Sequence, residues 1–332
     1  MQQPKMALTK SLIQSCKTFK VDEMKRNKLG KVVGNFFLNL IKMIILIGIS
    51  FIVISPLIGI LSKTFMSEND IYNPLVYLIP EEFTLNNLKI AITQMNYVKT
   101  LIFTLLFCLG LMLIQAGICA MIGYGFARFK FKGNSLLFGL VILTIVVPTQ
   151  TLMVPMYAQF RYFDLFGIVK LITGKNGINL MNTIWPMLLM TITGLGLRSG
   201  LYIYIYRQFF KGLPKEIEEA AWIDGAGPFY TFFHVMLPNA KSSMITVMLF
   251  SFVWQYNDTY FASLYMNNFN LLSLKVTTLA ANVTQALKIQ DVNILQVIVD
   301  SGILLVIVPL LIIYLFLQRH FMEGIERSGI VG

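Results

Sequence analysis

The sequence predicts an all-α, polytopic membrane protein with six transmembrane helices and one helical insert on the cytoplasmic side. Three observations carry that prediction. Hydrophobic residues make up 56% of the 332, only 13% are charged, and the mean hydropathy is +0.69, a composition outside the range of soluble domains. Six apolar runs, near 36–61, 101–125, 136–157, 180–206, 243–264 and 293–317, each come close to the ~20 residues that cross hydrocarbon as a helix. Lysine and arginine are more numerous in the connecting segments of one side than of the other, which orients the chain.

Residues 1–35 are polar and basic, with Lys5, Lys10, Lys17, Lys20, Lys25, Arg26, Lys28 and Lys31 against Asp22 and Glu23. They read as a cytoplasmic segment, either a helix lying on anionic lipid or a solvated tail. The first apolar run begins late and is too long for a cleavable signal peptide. Lys42 lies near its inner end, where its stem can snorkel. Pro56, Pro148, Pro155, Pro186 and Pro309 are expected to interrupt spans, which a bundle tolerates when neighbouring helices satisfy the freed backbone groups. Residues 36–317 form the membrane domain, with an insert at 207–242. Residues 318–332 form a cytoplasmic tail.

With the N-terminus inside, the cytoplasmic segments carry seventeen of the 27 lysines and arginines and the outside loops carry eight, Lys42 and Arg198 lying within spans. The asymmetry predicts both termini on the cytoplasmic side of a cell membrane that the chain crosses repeatedly. The same placement explains the net charge of +11 without nucleic acid, because the basic residues flank apolar runs. Cys16, Cys108 and Cys119 supply no disulfide framework.

The insert is the most informative stretch: EAAWIDGAGPFYTFFHVMLP, residues 219–238. Pro214 can open a helix at a position where its missing N–H costs nothing. Glu216, Glu218 and Glu219 then fall in the first turn, favoured by the positive end of the helix dipole. Ile217, Ala220 and Ala221 are spaced to share one smooth face. Gly225 ends the helix by taking φ > 0. Pro228 opens a second helix carrying Phe229, Phe232, Phe233 and Met236, and Pro238 stops it. The product is a compact helix–turn–helix knob between two spans.

This stretch resembles the EAA loop of ABC-importer permeases, a pattern carried here by Glu219, Ala220, Ala221, Asp224, Gly225, Leu237 and Pro238. Further segments match the carbohydrate-type permeases. They are Pro56–Lys63 with the run 80–88, the first inside loop 123–133 (GYGFARFKFKG), Pro148 and Pro155 bracketing 149–154, Arg207–Phe210 with Leu213-Pro214, and the tail from Gln318-Arg319. Together they are similar to the smaller permease of maltose-type importers. Two features depart from the pattern: the outside segment 167–182 is longer, and the fifth span has Tyr256-Asn257-Asp258 where Trp-Asn-Asp is common. The resemblance implies the type I ABC importer permease fold and a cytoplasmic coupling helix that docks on an ATPase subunit. It also implies a second homologous permease chain, two nucleotide-binding ATPase subunits that bind ATP and Mg, and an extracellular or periplasmic sugar-binding protein. The implied function is sugar import, with an oligosaccharide as the expected cargo, by alternating access.

The chain itself has no phosphate-binding loop: Gly174-Lys175 is followed by Asn176, and the required upstream glycine is missing. The histidines are His234 and His320, and no metal-ligand cluster or nucleophilic triad accompanies them. No cofactor or catalytic role follows for this chain. Within the spans, Trp254, Gln255, Tyr256, Asn257, Asp258 and Tyr260 cluster near the outer half of the fifth run. Gln296 and Asp300 lie four apart on the sixth. Rings that stack on sugar C–H surfaces beside hydrogen-bonding amides and carboxylates suit a saccharide path. An outer aromatic belt with interhelix hydrogen bonds accounts for the same residues. Arg198 reads as structural. The rival function is a proton-coupled secondary transporter with Asp258 or Asp300 as relay.

Overall fold

A computed structural model describes residues 35–329; the basic N-terminal segment before Asn35 and the last three residues lie outside the described range. The elements in chain order are α1 (Asn35–Thr64), α2 (Glu68–Tyr72), α3 (Asn86–Met95), α4 (Tyr97–Arg128), α5 (Asn134–Val146), a 3-10 turn (Thr149–Leu152), α6 (Met153–Arg161), α7 (Ile168–Thr173), α8 (Trp185–Ile192) and α9 (Ser199–Gly212). There follow α10 (Glu216–Ile223), α11 (Pro228–Tyr230), a π-helical stretch (Thr231–Met236), α12 (Leu237–Asn239), α13 (Lys241–Tyr256), α14 (Tyr260–Tyr265), α15 (Leu272–Thr277), α16 (Leu279–Leu287) and α17 (Val292–Gly329). Isolated β-bridges at Met66–Phe83 and Phe163–Ile178 are the strand-like pairings among the described residues. The second closes the long segment 167–182.

The chain divides into two compact units, 1–60 and 61–332. In the first, the described residues belong to α1 and expose apolar side chains such as Phe51 and Ile52. In the second, α4 packs along α9 and α13, α5 along α9, and α17 along α3 and α13.

The six apolar runs form helices of two kinds. The first, second and sixth become the single long helices α1, α4 and α17. The third bends by 101° between α5 and the 3-10 turn leading into α6. Val147, which precedes Pro148, is extended at φ −68°, ψ 122°, as a pre-proline residue prefers. The fourth breaks into α8 and α9, and Gly194 and Arg198 in the break have φ of +74° and +61°. The fifth ends at Tyr256 and resumes as α14. The expected role of the prolines needs correction. Pro148 breaks a span, but Pro56 and Pro309 lie inside unbroken helices, and Pro155 and Pro186 sit in the first turns of α6 and α8. At 38 residues, α17 is about 57 Å long, so residues 318–329 continue the last helix.

Close approach of α4 and α9 centres the second unit. Tyr124 of α4 and Tyr202, Tyr206 and Phe210 of α9 are buried together with Phe232 and Met236 from the insert. A Cβ on Gly123 would stand 2.6 Å from Tyr206 Cβ and 3.0 Å from Arg207 N, so a side chain there must push the helices apart. Gly123→Ala is therefore expected to destabilise the protein by about 1–3 kcal/mol through overpacking. Gly117→Ala, on the same helix with open space around it, is expected to be neutral or stabilising. Melting of the detergent-solubilised protein checks the pair, and equal stability of the two variants contradicts the close contact.

Candidate coupling loop and membrane polar cluster

The insert folds from local signals. Helix α10 begins at Glu216 with Lys215 at its N-cap, so Pro214 precedes the helix and does not take its first position as expected, while Glu216, Glu218 and Glu219 do fall in its first turn. Gly225 has φ +84°. Gly225 N donates to Trp222 O at 3.0 Å and Ala226 N to Ala221 O at 2.9 Å, the paired bonds of a Schellman termination. Pro238 does not stop the second helix, as the sequence reading had it. It lies in the first turn of α12, and the chain turns at Ala240 instead. Pro238 offers no N–H to the carbonyl four residues back, and the preceding turn widens into the π-helical stretch.

The knob is fastened to the bundle by Glu218. Its side chain is 4% exposed, and Oε2 lies 2.9 Å from Arg128 Nε, whose side chain is 7% exposed. The Nε–H is not aligned for a hydrogen bond, so this contact is an ion pair. Tyr124 Oη donates to Glu218 Oε1 at 2.6 Å, and Arg128 Nη2 donates to Leu213 O at 2.8 Å. Sequence reasoning missed this lock, treating Glu218 as one of three helix-dipole acids. The available signal was spacing: Tyr124 and Arg128 are four apart on α4, so both can face one partner.

The named motif residues fall mostly on the outside. Glu219, Ala220, Asp224, Gly225 and Pro238 are exposed, and Ala221 and Leu237 are half-buried. Ile217 packs against the core, so Ala220 does not share its environment. The expected aromatic face splits. Phe232 and Met236 point inward, the Phe232 ring 5.2 Å from that of Tyr124. Phe229 and Phe233 point outward, with Trp222, Ile223 and Tyr230 also exposed.

The polar residues of the fifth span do not form one surface. Gln255, Tyr256 and Asp258 are buried, while Trp254, Asn257 and Tyr260 are exposed. Asp258 sits in the break before α14, and its two oxygens accept from Phe261 N and Ala262 N, each at 3.2 Å. It caps the resumed helix. Tyr256 Oη donates to Val306 O at 2.8 Å, and Asn257 Nδ2 to Val253 O at 2.9 Å. Trp254 lies under the Arg198 guanidinium at 4.4 Å, a structural role for that arginine. On α17, Gln296 Nε2 donates to Asp300 Oδ1 at 2.9 Å, with Asp300 buried and Gln296 exposed.

A second residue unforeseen from the sequence joins these elements. Gln115 of α4 is fully buried. Its Nε2 donates to Leu197 O and Ser199 Oγ, both at 2.8 Å, across the break between α8 and α9. Its Oε1 accepts from Ser251 Oγ at 2.6 Å and Gln255 Nε2 at 3.3 Å on α13.

Residues 116–327 match the family described as binding-protein-dependent transport system inner membrane component. The chain belongs to this family. The matched range holds the whole insert, the Arg128–Glu218 pair and all the polar clusters of the later spans. Relatives with known designations cover most of the permease. The arabinooligosaccharides transport system permease protein AraQ of Halalkalibacterium halodurans is 25% identical, across 86% of this chain and 93% of its own. The diacetylchitobiose uptake system permease protein NgcG of Streptomyces coelicolor is 26% identical, across 84% of each. Among solved structures, a chain of a bacterial ABC transporter involved in import of the acidic polysaccharide alginate aligns with a TM-score of 0.65, at 18% identity over 86% of this permease and 96% of that chain. That likeness establishes the shared fold.

Removing one member of the buried pair leaves the other uncompensated, at a cost of about 3–5 kcal/mol. Glu218→Ala is expected to lower the melting temperature and loosen the insert to protease. Arg128→Met combined with Glu218→Leu is expected to recover most of that stability. Wild-type protease resistance in Glu218→Ala contradicts the lock.

Proposed function

We propose that this permease is one membrane-spanning subunit of an ATP-driven ABC importer that carries an oligosaccharide into the cell by alternating access. The observation that carries the reading is the insert: a knob locked to α4 through Glu218 and Arg128, with Trp222, Ile223, Phe229, Tyr230 and Phe233 exposed around the EAA residues. An apolar surface mounted on a rigid base fits a socket on another subunit. Closure of two ATPase subunits on ATP would push this knob, and the Glu218 lock would pass the push to α4 and α9 as a rigid-body movement. The family's description implies a substrate-binding protein on the outside. A second homologous permease completes the pathway. ATP and Mg belong to the partner ATPases, since the sequence has no phosphate-binding loop.

The saccharide reading draws on relatives designated for arabinooligosaccharides, diacetylchitobiose and starch degradation products. Trp254, Asn257, Tyr260 and Gln296 are the exposed candidates for the path, with Tyr256, Asp258 and Asp300 holding the walls behind them. The proton-coupled alternative is disfavoured, because the family is one of binding-protein-dependent systems and the relatives are named as transport system permeases, both Asp258 oxygens already accept backbone hydrogen bonds, and Asp300 accepts from Gln296 on its own helix.

Two experiments test the proposal. In vesicles holding the full transporter, Gly225→Val is expected to abolish most uptake while the chain still inserts. Gly225→Asn, which tolerates positive φ, is expected to retain more; full transport by the Val variant removes the coupling role. In the second, uptake is expected to require ATP and ignore a protonophore, while Asn176→Cys reacts with an impermeant thiol reagent outside intact cells and Lys215→Cys does not. Uptake that persists without ATP and collapses with the protonophore decides for the rival, and inverted labelling overturns the orientation.

A further inference from the structure

A cavity of about 560 Å³ opens at the end of the bundle where α4 meets α5 and α9. Four cations line it: Lys130 and Lys132 from the loop after α4, and Arg207 and Lys211 from α9. None of the four forms an ion pair with an acid among the described residues, where Arg128–Glu218 is the salt bridge present. The stretch 125–135 contains no acidic residue. Arg207 is half-buried, its guanidinium stacked 3.7 Å over the Phe138 ring, and its Nε is buried without a hydrogen-bond partner. Helix α5 also opens here, adding the positive end of its dipole. Gathering this much positive charge costs energy through mutual repulsion, which an anion relieves.

The rest of the lining selects the kind of anion. Phe126 and Phe131 give the cavity an aromatic wall, their rings 6.3 Å apart, which a small hydrated anion does not need. The cavity sits where α4 and α9 end and α5 begins, at the edge of three apolar spans, where the anion at highest local concentration is a phospholipid headgroup. A cationic pocket with aromatic walls at that depth matches such a headgroup. We propose that this cavity binds the phosphate headgroup of an anionic phospholipid. The inference rests on α4 and α5 lying in the bilayer and is independent of the transported cargo.

The test uses the purified, delipidated transporter with its partner subunits, titrated with phosphatidylglycerol or phosphatidylcholine and read by native mass spectrometry. Phosphatidylglycerol is expected to bind at lower concentration than phosphatidylcholine. In the Lys130→Gln/Lys211→Gln variant that preference is expected to shrink by about thirtyfold, at the strength usual for two lysines near anionic lipid. An unchanged preference overturns the proposal. So does displacement of the lipid by inorganic phosphate at equal concentration, which would mark a free-phosphate site. Loss of ATPase subunits from the variant with lipid binding unaltered would assign the patch to a protein partner and equally overturns it. If the variant fails to assemble, salt decides on the unmodified transporter: the preference must fall as ionic strength rises, and a salt-independent preference contradicts a charge-based site.

Discussion

Within the bilayer, a backbone or amide group without an internal partner has no water to turn to. The fold depends on how it meets that constraint where its spans break. At the α8–α9 break, the free carbonyl of Leu197 and the hydroxyl of Ser199 both receive the Gln115 amide. The other end of the same amide accepts from α13. One side chain therefore makes an interrupted span tolerable and ties three helical elements at a point. At the α13–α14 break, Asp258 does the corresponding work by accepting two backbone N–H groups. Polar residues in the spans thus serve first to permit irregular backbone, and any contact with a substrate is added to that role.

The second constraint lies at the bundle end. Under the proposed coupling, a knob that is to receive force must not rock on its base. The Glu218 carboxylate has one oxygen on Tyr124 and the other beside Arg128, while Arg128 also holds the carbonyl of Leu213 just before α10. Phe232 fills the space behind, packed on Tyr124 and Phe210. Charge, hydrogen bonds and aromatic packing converge on the last turn of α4. A buried ion pair is a weak source of net stability, because desolvation offsets its attraction. Its value here is geometric: it fixes the direction in which α10 meets the bundle.

The class of fold and the insert were legible because they rest on local rules. Composition and run length reveal apolar helices, and Gly225 ends α10 by backbone chemistry alone. The breaks were harder to read. Pro148 interrupts its span while Pro309 does not, because a helix tolerates proline when its surroundings accept the freed carbonyl, and that depends on tertiary neighbours. The split of Phe232 from Phe233 follows from which face of a π-widened turn meets Tyr124, which spacing at 3.6 residues per turn does not capture. Glu218 and Gln115 were invisible for a related reason. Each contacts residues some eighty or more positions away, and a single sequence carries no record of such pairing. Asp258 stood out in the sequence as an acid within a span, but a buried carboxylate near a helix start has a backbone use that composition does not reveal.

These two polar centres lie on one helix. Gln115 and Tyr124 are nine residues apart on α4, or about 13.5 Å along its axis, and between them the helix is lined by Ala116, Cys119, Ala120 and Gly123. Small side chains let α9 press closely, so the segment linking knob to core contains few long, flexible groups that could absorb a displacement. A movement imposed at Glu218 is therefore carried into the Gln115 node, where it meets hydrogen bonds to both α9 and α13. Hydrogen bonds are directional and have discrete alternatives, whereas dense apolar packing slides poorly. Under the proposed coupling, the Gln115 node is the place where a push from the insert would be converted into a change of partners, with α4 as the shaft that brings it there.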